Sequence, residues 1–185
     1  IHRGIVGVPA KGGTVSIFLQ ACRREPTVLT PVWFMRQAGR YMPEYRAIRQ
    51  RAGFLEMCKS PDLVCEITLQ PLRLGVDAAI IFSDLLVLFE PMGCSVTYLE
   101  GEGPVIEPPV RSAADVDRLK PVDVEESLGY AYESIRLTRR SLPSGLPLIG
   151  FSGAPYTLAS YLIEGRGSRT CDLTKQFMRE EPKAW

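Results

Sequence analysis

The apolar residues of this chain follow two patterns that alternate along the sequence. Three short, mainly apolar runs, at residues 32–35, 78–82 and 147–151, show no regular alternation with polar residues. Such runs are typical of strands that are covered on both faces, as in a parallel sheet. The sequence therefore predicts three buried strands, with longer segments between them.

The longer segments carry apolar residues at helical spacing, and capping residues mark where the helices begin and end. Ser, Thr or Pro stands at most of the predicted starts, and Gly or Pro follows several of the predicted ends. The predicted helices are a segment capped by Thr14 and ended by Pro26, residues 43–51, 60–75, 124–141 and 157–165, and a last helix from about Thr170. Ser112 is predicted to cap a brief turn that runs through Leu119.

The helix predicted at residues 124–141 has an apolar stripe, which we expect to face the core; its members are Leu128, Tyr132, Ile135 and Leu137. A different pattern precedes this helix. Residues 96–99 and 105–106 are short β-prone runs separated by glycines, and they predict a small hairpin apart from the main sheet.

The alternation of strands and helices predicts an α/β fold with a parallel sheet. Two architectures fit this order, a doubly wound sheet and a (β/α)₈ barrel. A doubly wound nucleotide-binding sheet expects a glycine-rich phosphate loop after its first strand, whereas residues 36–40 contain one glycine flanked by arginines. The barrel therefore fits better. Because barrels typically take about 250 residues, residues 1–185 are expected to be the N-terminal portion of one truncated barrel domain, with about three βα units.

Composition and charge narrow the classes of function. The chain has 185 residues, 45% of them hydrophobic, and 22 Lys and Arg against 21 Asp and Glu. With basic and acidic residues balanced, the chain has no strong positive electrostatic potential that would attract nucleic acid or an anionic membrane. No apolar run approaches the ~20 residues of a membrane helix, and the first residues lack the apolar region of a secretory signal. We therefore expect a cytoplasmic protein without nucleic-acid or membrane partners.

The cysteine and histidine content argues against a metal site. The five cysteines are odd in number and never form a C-x-x-C pair, so we interpret them as reduced packing residues. The single histidine, His2, lies near the terminus, which leaves too few ligands for structural zinc. Acid or base catalysis within this chain must then fall to Asp, Glu, Tyr or Arg.

Arg36 and Arg40 follow the first predicted strand, with Gly39 between them. Functional groups of parallel α/β folds collect at the carboxyl ends of the strands. Two guanidinium groups at one strand end suit carboxylates or phosphates, and the glycine would let both face one pocket. The alternative is that both arginines form structural ion pairs or are solvated.

Asp84 follows the second predicted strand within an apolar stretch, where an unpaired carboxylate is costly. It either accepts hydrogen bonds from a substrate or caps a neighbouring helix. Tyr161 lies on the helix after the third predicted strand, where its hydroxyl would reach a pocket or its ring would simply fill the core. Arginines together with one carboxylate would suit a ligand that has acidic groups at its edge and N–H groups at its centre.

Four collinear segments resemble the uroporphyrinogen decarboxylase family. They are PVWFMRQAGRYMPEYR at residues 31–46, IIFSD at 80–84, GEGPV at 101–105 and PLIGFSGAPYTLASYLIEG at 147–165. The resemblance implies a cofactor-free (β/α)₈ barrel in haem and chlorophyll synthesis. Such an enzyme removes carbon dioxide from the four acetate arms of uroporphyrinogen III and gives coproporphyrinogen III.

The same resemblance implies roles for individual residues. Arg36 and Arg40 would bind substrate carboxylates, and Asp84 would bind the pyrrole N–H groups and stabilise a cationic transition state. Tyr161 matches the tyrosine that the family places near a carboxylate arm. Gln37, Ala38 and Gly39 would contribute backbone or shape to the same loop.

The family's chain is about twice as long as this one, and its matched serine and histidine fall in the second half. We therefore expect the isolated 185 residues to be inactive, and the complete chain to form a homodimer. Two rival functions remain. One is a corrinoid or thiol methyltransferase on the same barrel, with zinc ligands downstream; the other is a non-catalytic anion-binding or assembly module.

Overall fold

The structure is a computed structural model that describes residues 16–34, 41–99, 103–150 and 152–185. In chain order, its α-helices are α1 (Ile17–Cys22), α2 (Pro43–Arg51), α3 (Phe54–Lys59), α4 (Pro61–Leu69), α5 (Ala113–Asp117), α6 (Val124–Ser127), α7 (Gly129–Ser141), α8 (Pro155–Glu164) and α9 (Asp172–Glu180). The strands are β1 (Ala79–Ile80), β2 (Ser95–Leu99), β3 (Gly103–Glu107) and β4 (Leu148–Ile149). Two 3₁₀ turns span Gln70–Leu74 and Leu85–Leu88.

The described chain divides into two compact units, and the first comprises residues 1–82 and 133–150. Strands β1 and β4 pair in parallel there, with Ala79 opposite Leu148 and Ile80 opposite Ile149. The parallel pairing confirms the predicted α/β class. Helices α2 to α4, with Met42 directly before α2, contribute buried side chains to this unit, among them Met42, Ile48, Met57, Val64 and Ile67.

The second unit comprises residues 83–132 and 151–185. The predicted hairpin is confirmed here: β2 and β3 pair antiparallel, with Ser95 opposite Glu107 and Leu99 opposite Gly103. The N–H of Ile106 donates to the carbonyl of Gly165 at 2.8 Å, and the N–H of Val110 donates to that of Leu162 at 2.9 Å. The hairpin is thus tied to the end of α8.

The first predicted strand, at residues 32–35, is wrong for the part that the structure describes. Residues 32–34 form no strand, and the side chains of Val32 and Phe34 are each 46% exposed. Val32 is bound to Asp77 by one backbone and one side-chain hydrogen bond: the N–H of Asp77 donates to the carbonyl of Val32 at 2.7 Å, and the N–H of Val32 donates to Asp77 Oδ2 at 2.8 Å. One backbone bond is not a ladder, which needs regularly repeated bonds along both strands.

The predicted helix at residues 124–141 is interrupted, and two of its expected core residues are wrong. The break falls between α6 and α7, beside Gly129, a residue with poor helix propensity. Tyr132 and Ile135 are 42% and 45% exposed. The buried positions are Ser134 and Thr138, which lie four residues apart on another face where small side chains allow close packing.

Several helix ends follow the predicted capping rules, with one shift at the first helix. Ser112 caps α5 by accepting from the Asp115 N–H, and Ser60 caps α4. Helix α1 is capped by Ser16, whereas the predicted cap, Thr14, lies outside the described residues. The helix predicted from Ser60 continues after α4 as a 3₁₀ turn, where Pro71 has no N–H to extend the α-helical pattern.

Gly165 ends α8 in the left-handed region with φ of +74°, and a Cβ added there would lie 3.2 Å from the Cβ of Pro109. We expect Gly165→Ala to lower the free energy of unfolding by about 1–2 kcal/mol, because the left-handed backbone and the close contact both oppose a side chain. Gly129→Ala is the matched control. Gly129 has open space around it and helical backbone, so alanine should raise stability by about 0.4–1 kcal/mol. Urea denaturation of both variants tests the pair, and equal effects of the same sign would contradict the assignment.

Candidate functional site

The arginine-containing segment of the predicted site, Arg36, Gln37, Ala38, Gly39 and Arg40, lies outside the described residues. The chain on either side of it is described, and both sides attach to residues that flank β1. Before the segment, Val32 is bound to Asp77 by two hydrogen bonds. After it, the ring of Tyr45 on α2 contacts the ring of Phe82 in an edge-to-face arrangement, with centroids 6.1 Å apart.

The chain that leaves β1 is held firmly at Phe82. The Phe82 N–H donates to the hydroxyl of Thr68 at 2.9 Å, and that hydroxyl donates to the carbonyl of Val64 at 2.6 Å. The Phe82 ring also contacts Phe54 edge to face, with centroids 5.9 Å apart. Backbone and side chain of this residue are therefore both fixed, directly before Ser83 and Asp84 in the chain.

The two carboxylate oxygens of Asp84 differ in their hydrogen bonding. Oδ1 accepts a hydrogen bond from the Leu86 N–H at 3.0 Å, so Asp84 caps the 3₁₀ turn Leu85–Leu88. Oδ2 is buried and has no hydrogen-bond partner among the described residues. A buried oxygen without a partner is costly, and such atoms often lie at functional sites. The capping alternative thus holds for one oxygen and leaves the other available to a donor.

Burial raises the pKa of the Asp84 carboxyl above its ordinary value, and the N–H groups of Leu86 and Leu85 partly oppose that rise. Loss of solvent disfavours the charged form, whereas a donated hydrogen bond favours it. A donor or positive charge placed at Oδ2 would lower this pKa. The geometry therefore suits a ligand that brings N–H donors or develops positive charge.

The raised pKa makes the stability effect of Asp84→Asn depend on pH. Since the folded state holds the Asp84 proton more tightly than the unfolded state, stability from this group is present below the ordinary carboxyl pKa and is lost as pH rises through the raised value. Asparagine does not titrate. We expect the free energy of unfolding of Asp84→Asn, relative to that of the parent protein, to increase as pH rises over this interval.

Asp115→Asn is the control of opposite sign. Hydrogen bonds from the Arg111 N–H and the Ser112 hydroxyl lower the pKa of Asp115, so its stabilising contribution is present above the ordinary pKa and is lost as pH falls. Relative to the parent, this variant should lose stability as pH rises. Urea denaturation across the carboxyl range, from about pH 3 to pH 7, measures both; matching slopes for the two variants would contradict the assignment.

Tyr161 lies on α8 and is half-buried. Its carbonyl accepts the Gly165 N–H that ends the helix, at 2.9 Å. A Cβ added to Gly167 would lie 3.8 Å from the Tyr161 hydroxyl, so the chain after α8 returns close to the polar end of the ring. Asp84 and Tyr161 belong to the same unit, and no hydrogen bond between their described side chains connects them.

A groove elsewhere in the second unit is too small for a drug-sized ligand. It has a volume of about 170 Å³ and is lined by Arg111, Ile163, Leu173, Gln176, Phe177, Glu180 and Glu181. Pockets for drug-sized ligands measure about 300–1,000 Å³. This groove also contains none of the predicted site residues, so it is not the candidate site.

The described residues lack both a metal-ligand cluster and a membrane-spanning helix. They contain no cluster of three or more His, Cys, Asp or Glu side chains that is suited to a metal ion, and each of the five cysteines is a free thiol. No helix in the described ranges has both the length and the apolar character needed to span a bilayer.

The sequence interpretation missed Thr68 and the aromatic contacts of Phe82. A signal for Thr68 was present, because it interrupts the apolar run of α4 between Ile67 and Leu69. A hydroxyl on a buried helix face needs a partner, which makes it a candidate for a specific tertiary hydrogen bond. The contacts of Phe82 with Tyr45 and Phe54 had no such local signal, since they join residues distant in the sequence.

Comparison with known proteins places this chain in a family. The sequence model described as "Uroporphyrinogen decarboxylase (URO-D)" matches residues 15–185. The chain belongs to the uroporphyrinogen decarboxylase family. This confirms the resemblance seen in the sequence, and the match includes both the undescribed arginine segment and Asp84.

Individual relatives within the family agree. A protein from Roseiflexus sp. (strain RS-1) is 62% identical over 173 residues, covering 93% of this chain and 50% of the relative. One from Sorangium cellulosum (strain So ce56) is 58% identical over 168 residues, covering 91% and 48%. Both are named uroporphyrinogen decarboxylase. The chain thus spans about half the length of the curated relatives it matches.

A solved structure outside the named decarboxylases shares the fold. It is a methyltransferase from Methanosarcina mazei, with a TM-score of 0.67, which covers 92% of this chain and 49% of its own. The two sequences are 20% identical, so the likeness concerns the fold alone. It brings no methyl-transfer chemistry to this chain.

Proposed function

We propose that this chain is the N-terminal portion of a uroporphyrinogen decarboxylase. The complete enzyme removes carbon dioxide from the four acetate arms of uroporphyrinogen III and gives coproporphyrinogen III. The observation that carries the proposal is the half-paired carboxylate of Asp84, which follows a buried strand in a chain of this family. Residues 1–185 form about the first three βα units of one (β/α)₈ barrel domain, consistent with the parallel pairing of β1 and β4.

The centre of the substrate suits Asp84. A porphyrinogen has four pyrrole N–H groups near its centre, and N–H donors are what the buried Oδ2 lacks among the described residues. The other oxygen, Oδ1, is held by the Leu86 N–H, so the carboxylate is oriented before substrate binds. Binding therefore satisfies a costly group without reorganising it.

The same carboxylate accounts for catalysis. When a proton adds to a pyrrole carbon, the ring becomes cationic, and a fixed anion stabilises that state more than the neutral ground state. The electrons of the bond to the carboxylate then return to the ring as carbon dioxide leaves. Protonation of the exocyclic carbon and loss of the ring proton complete a methyl group. Each step consumes one net proton and releases one carbon dioxide.

The edge of the substrate is acidic, and the remaining predicted residues are assigned to it. We place Arg36 and Arg40 on substrate carboxylates, because a planar guanidinium binds a carboxylate with two parallel hydrogen bonds. Residues 37–39 supply backbone and shape between them. The hydroxyl of Tyr161 binds a further carboxylate arm. Support for the loop comes from its flanks, since Val32 and Tyr45 both attach to residues beside β1.

We also propose the cofactor requirement, oligomeric state, location and partners of the complete protein. Decarboxylation through Asp84 needs no cofactor, because the carboxylate itself supplies the stabilising charge. We propose a homodimer of complete chains, as the family resemblance implies, in the cytoplasm. No nucleic-acid or membrane partner is proposed, in keeping with the balanced charge of 22 basic and 21 acidic residues.

Incubation of the complete protein with uroporphyrinogen III under reducing, anaerobic conditions tests the function. The expected result is conversion to coproporphyrinogen III, with partly decarboxylated intermediates early in the reaction, as separated by chromatography. Recovery of unchanged substrate would contradict the proposal. Tight binding without turnover would favour a non-catalytic anion-binding module, and stoichiometric zinc in the complete protein would favour a methyltransferase.

A further inference from the structure

Thr68 is a buried polar residue that the proposed mechanism does not yet use. Its side chain lies on α4 and is 2% exposed. The hydroxyl makes two hydrogen bonds, donating to the Val64 carbonyl at 2.6 Å and accepting from the Phe82 N–H at 2.9 Å. The first is within its own helix, but the second joins the helix to the chain that leaves β1.

Phe82 lies between β1 and the turn that Asp84 caps, so a shift of its backbone would also displace Asp84. β1 ends at Ile80, and the chain then runs without regular structure to the 3₁₀ turn that Asp84 caps. Among the described residues, Phe82 belongs to no strand, although the N–H of Ile81 before it donates to the carbonyl of Ile149 on β4 at 2.9 Å. Phe82 itself is held by the Thr68 hydrogen bond and by the edge-to-face contacts with Tyr45 and Phe54. The two rings locate the side chain, and the hydroxyl of Thr68 locates the backbone.

We infer that Thr68 is a positioning residue for Asp84. Its hydroxyl fixes the backbone of Phe82, two residues before the carboxylate that binds the pyrrole N–H groups of the substrate. The inference rests on the proposed function of Asp84. Electrostatic catalysis requires the charged group to be held where charge develops, and a misplacement of about 1 Å is worth up to about 100-fold in rate. Thr68 touches no reacting atom, so its effect must pass through Phe82.

A purely structural hydroxyl would behave differently from a positioning one. Both would lower stability when removed, because the buried Phe82 N–H loses its acceptor. Only the positioning role also lowers kcat of the folded enzyme while leaving KM nearly unchanged, since the acidic edge of the substrate still binds the arginines. The split between kcat and KM is therefore the readout.

The test compares variants of the complete enzyme that are folded at the assay temperature. Thr68→Val keeps the shape and removes the hydroxyl, and we expect kcat to fall about tenfold, a modest share of the loss that a 1 Å displacement causes. Thr68→Ser keeps the hydroxyl and should retain kcat within about twofold of the parent. If Thr68→Val does not fold, Thr68→Cys takes its place, because a thiol is a weaker acceptor.

Thr138→Val is the matched control. Thr138 is equally buried, and its hydroxyl has no hydrogen-bond partner among the described residues, so removing that hydroxyl should leave kcat unchanged. Parental kcat in Thr68→Val, or equal losses in the Val and Ser variants of Thr68, would overturn the inference and leave the proposed function intact. A parent enzyme without any decarboxylation would instead overturn the proposed function, and this inference with it.

Discussion

Asp84→Asn is expected to reduce kcat for uroporphyrinogen decarboxylation by about 100- to 1,000-fold in the complete protein, the range typical of losing one preorganised electrostatic group. Asparagine keeps the shape of the side chain and an oxygen that can accept from the Leu86 N–H, so the cap of the 3₁₀ turn is preserved. What disappears is the negative charge that we propose to lie beside the cationic pyrrole. Steady-state kinetics with uroporphyrinogen III measures the loss.

Asp123→Asn is the matched control for that experiment. Asp123 caps α6 by accepting from the Glu126 N–H at 3.0 Å, the same local role that Asp84 has, but it is exposed. Its replacement should leave kcat unchanged, because the cap survives and no buried charge is lost. An Asp84→Asn enzyme that retains the parental kcat would show that the carboxylate does not stabilise the transition state.

The isolated 185-residue chain is expected to show no decarboxylation above the uncatalysed background. In the described part of the chain, the parallel sheet consists of two paired strands of two residues each, and such small sheets need neighbours for stability. Apolar side chains near the first predicted strand are also left exposed; they are Val28, Leu29, Val32 and Phe34. The remaining half of the proposed barrel would supply both the neighbours and the rest of the site.

The comparison requires equal molar amounts of the isolated chain and of the complete protein in one assay, with coproporphyrinogen as the measured product. The complete protein is the positive control, and heat-treated protein gives the background. Coproporphyrinogen formation by the isolated chain would show that residues 1–185 contain a sufficient active site, and the proposed division of that site between two halves would then be wrong.

Local signals predicted the parts of the fold that depend on local chemistry. Ser112 and Gly165 mark helix ends because a capping hydroxyl and a residue without Cβ are needed at those points. The β2–β3 hairpin was predicted because its two strands are adjacent in the sequence. In each case the residues that decide the structure are also the residues that carry the pattern.

Features that depend on distant partners were predicted less well. The run at residues 32–35 has the composition of a strand, but a ladder requires a neighbouring strand, and the described residues 32–34 belong to none; Val32 is joined to Asp77 by one backbone and one side-chain hydrogen bond. The predicted inward face included Tyr132 and Ile135 on α7, yet the buried positions of α7 are Ser134 and Thr138. Burial on α7 is decided by what packs against it, which the sequence pattern does not contain.

In the candidate site, too, the sequence predicted the local feature but missed the contact between residues that are distant in the chain. The pattern identified Asp84 as a carboxylate that needs a partner and left two alternatives open. The structure assigns the capping role to Oδ1 and leaves Oδ2 buried without a described partner, so the substrate role stays a prediction with a defined atom. Thr68 escaped notice because its importance lies in a hydrogen bond to Phe82, fourteen residues further along the chain.

The count of carbon dioxide molecules released per substrate tests the central claim most directly. Uroporphyrinogen III labelled with ¹³C in its acetate carboxyl groups is supplied to the complete protein, and the released gas is measured together with the porphyrinogen product. The account predicts four labelled carbon dioxide molecules for each coproporphyrinogen III formed. Consumption of substrate without labelled carbon dioxide, or no consumption by correctly folded protein, would contradict it.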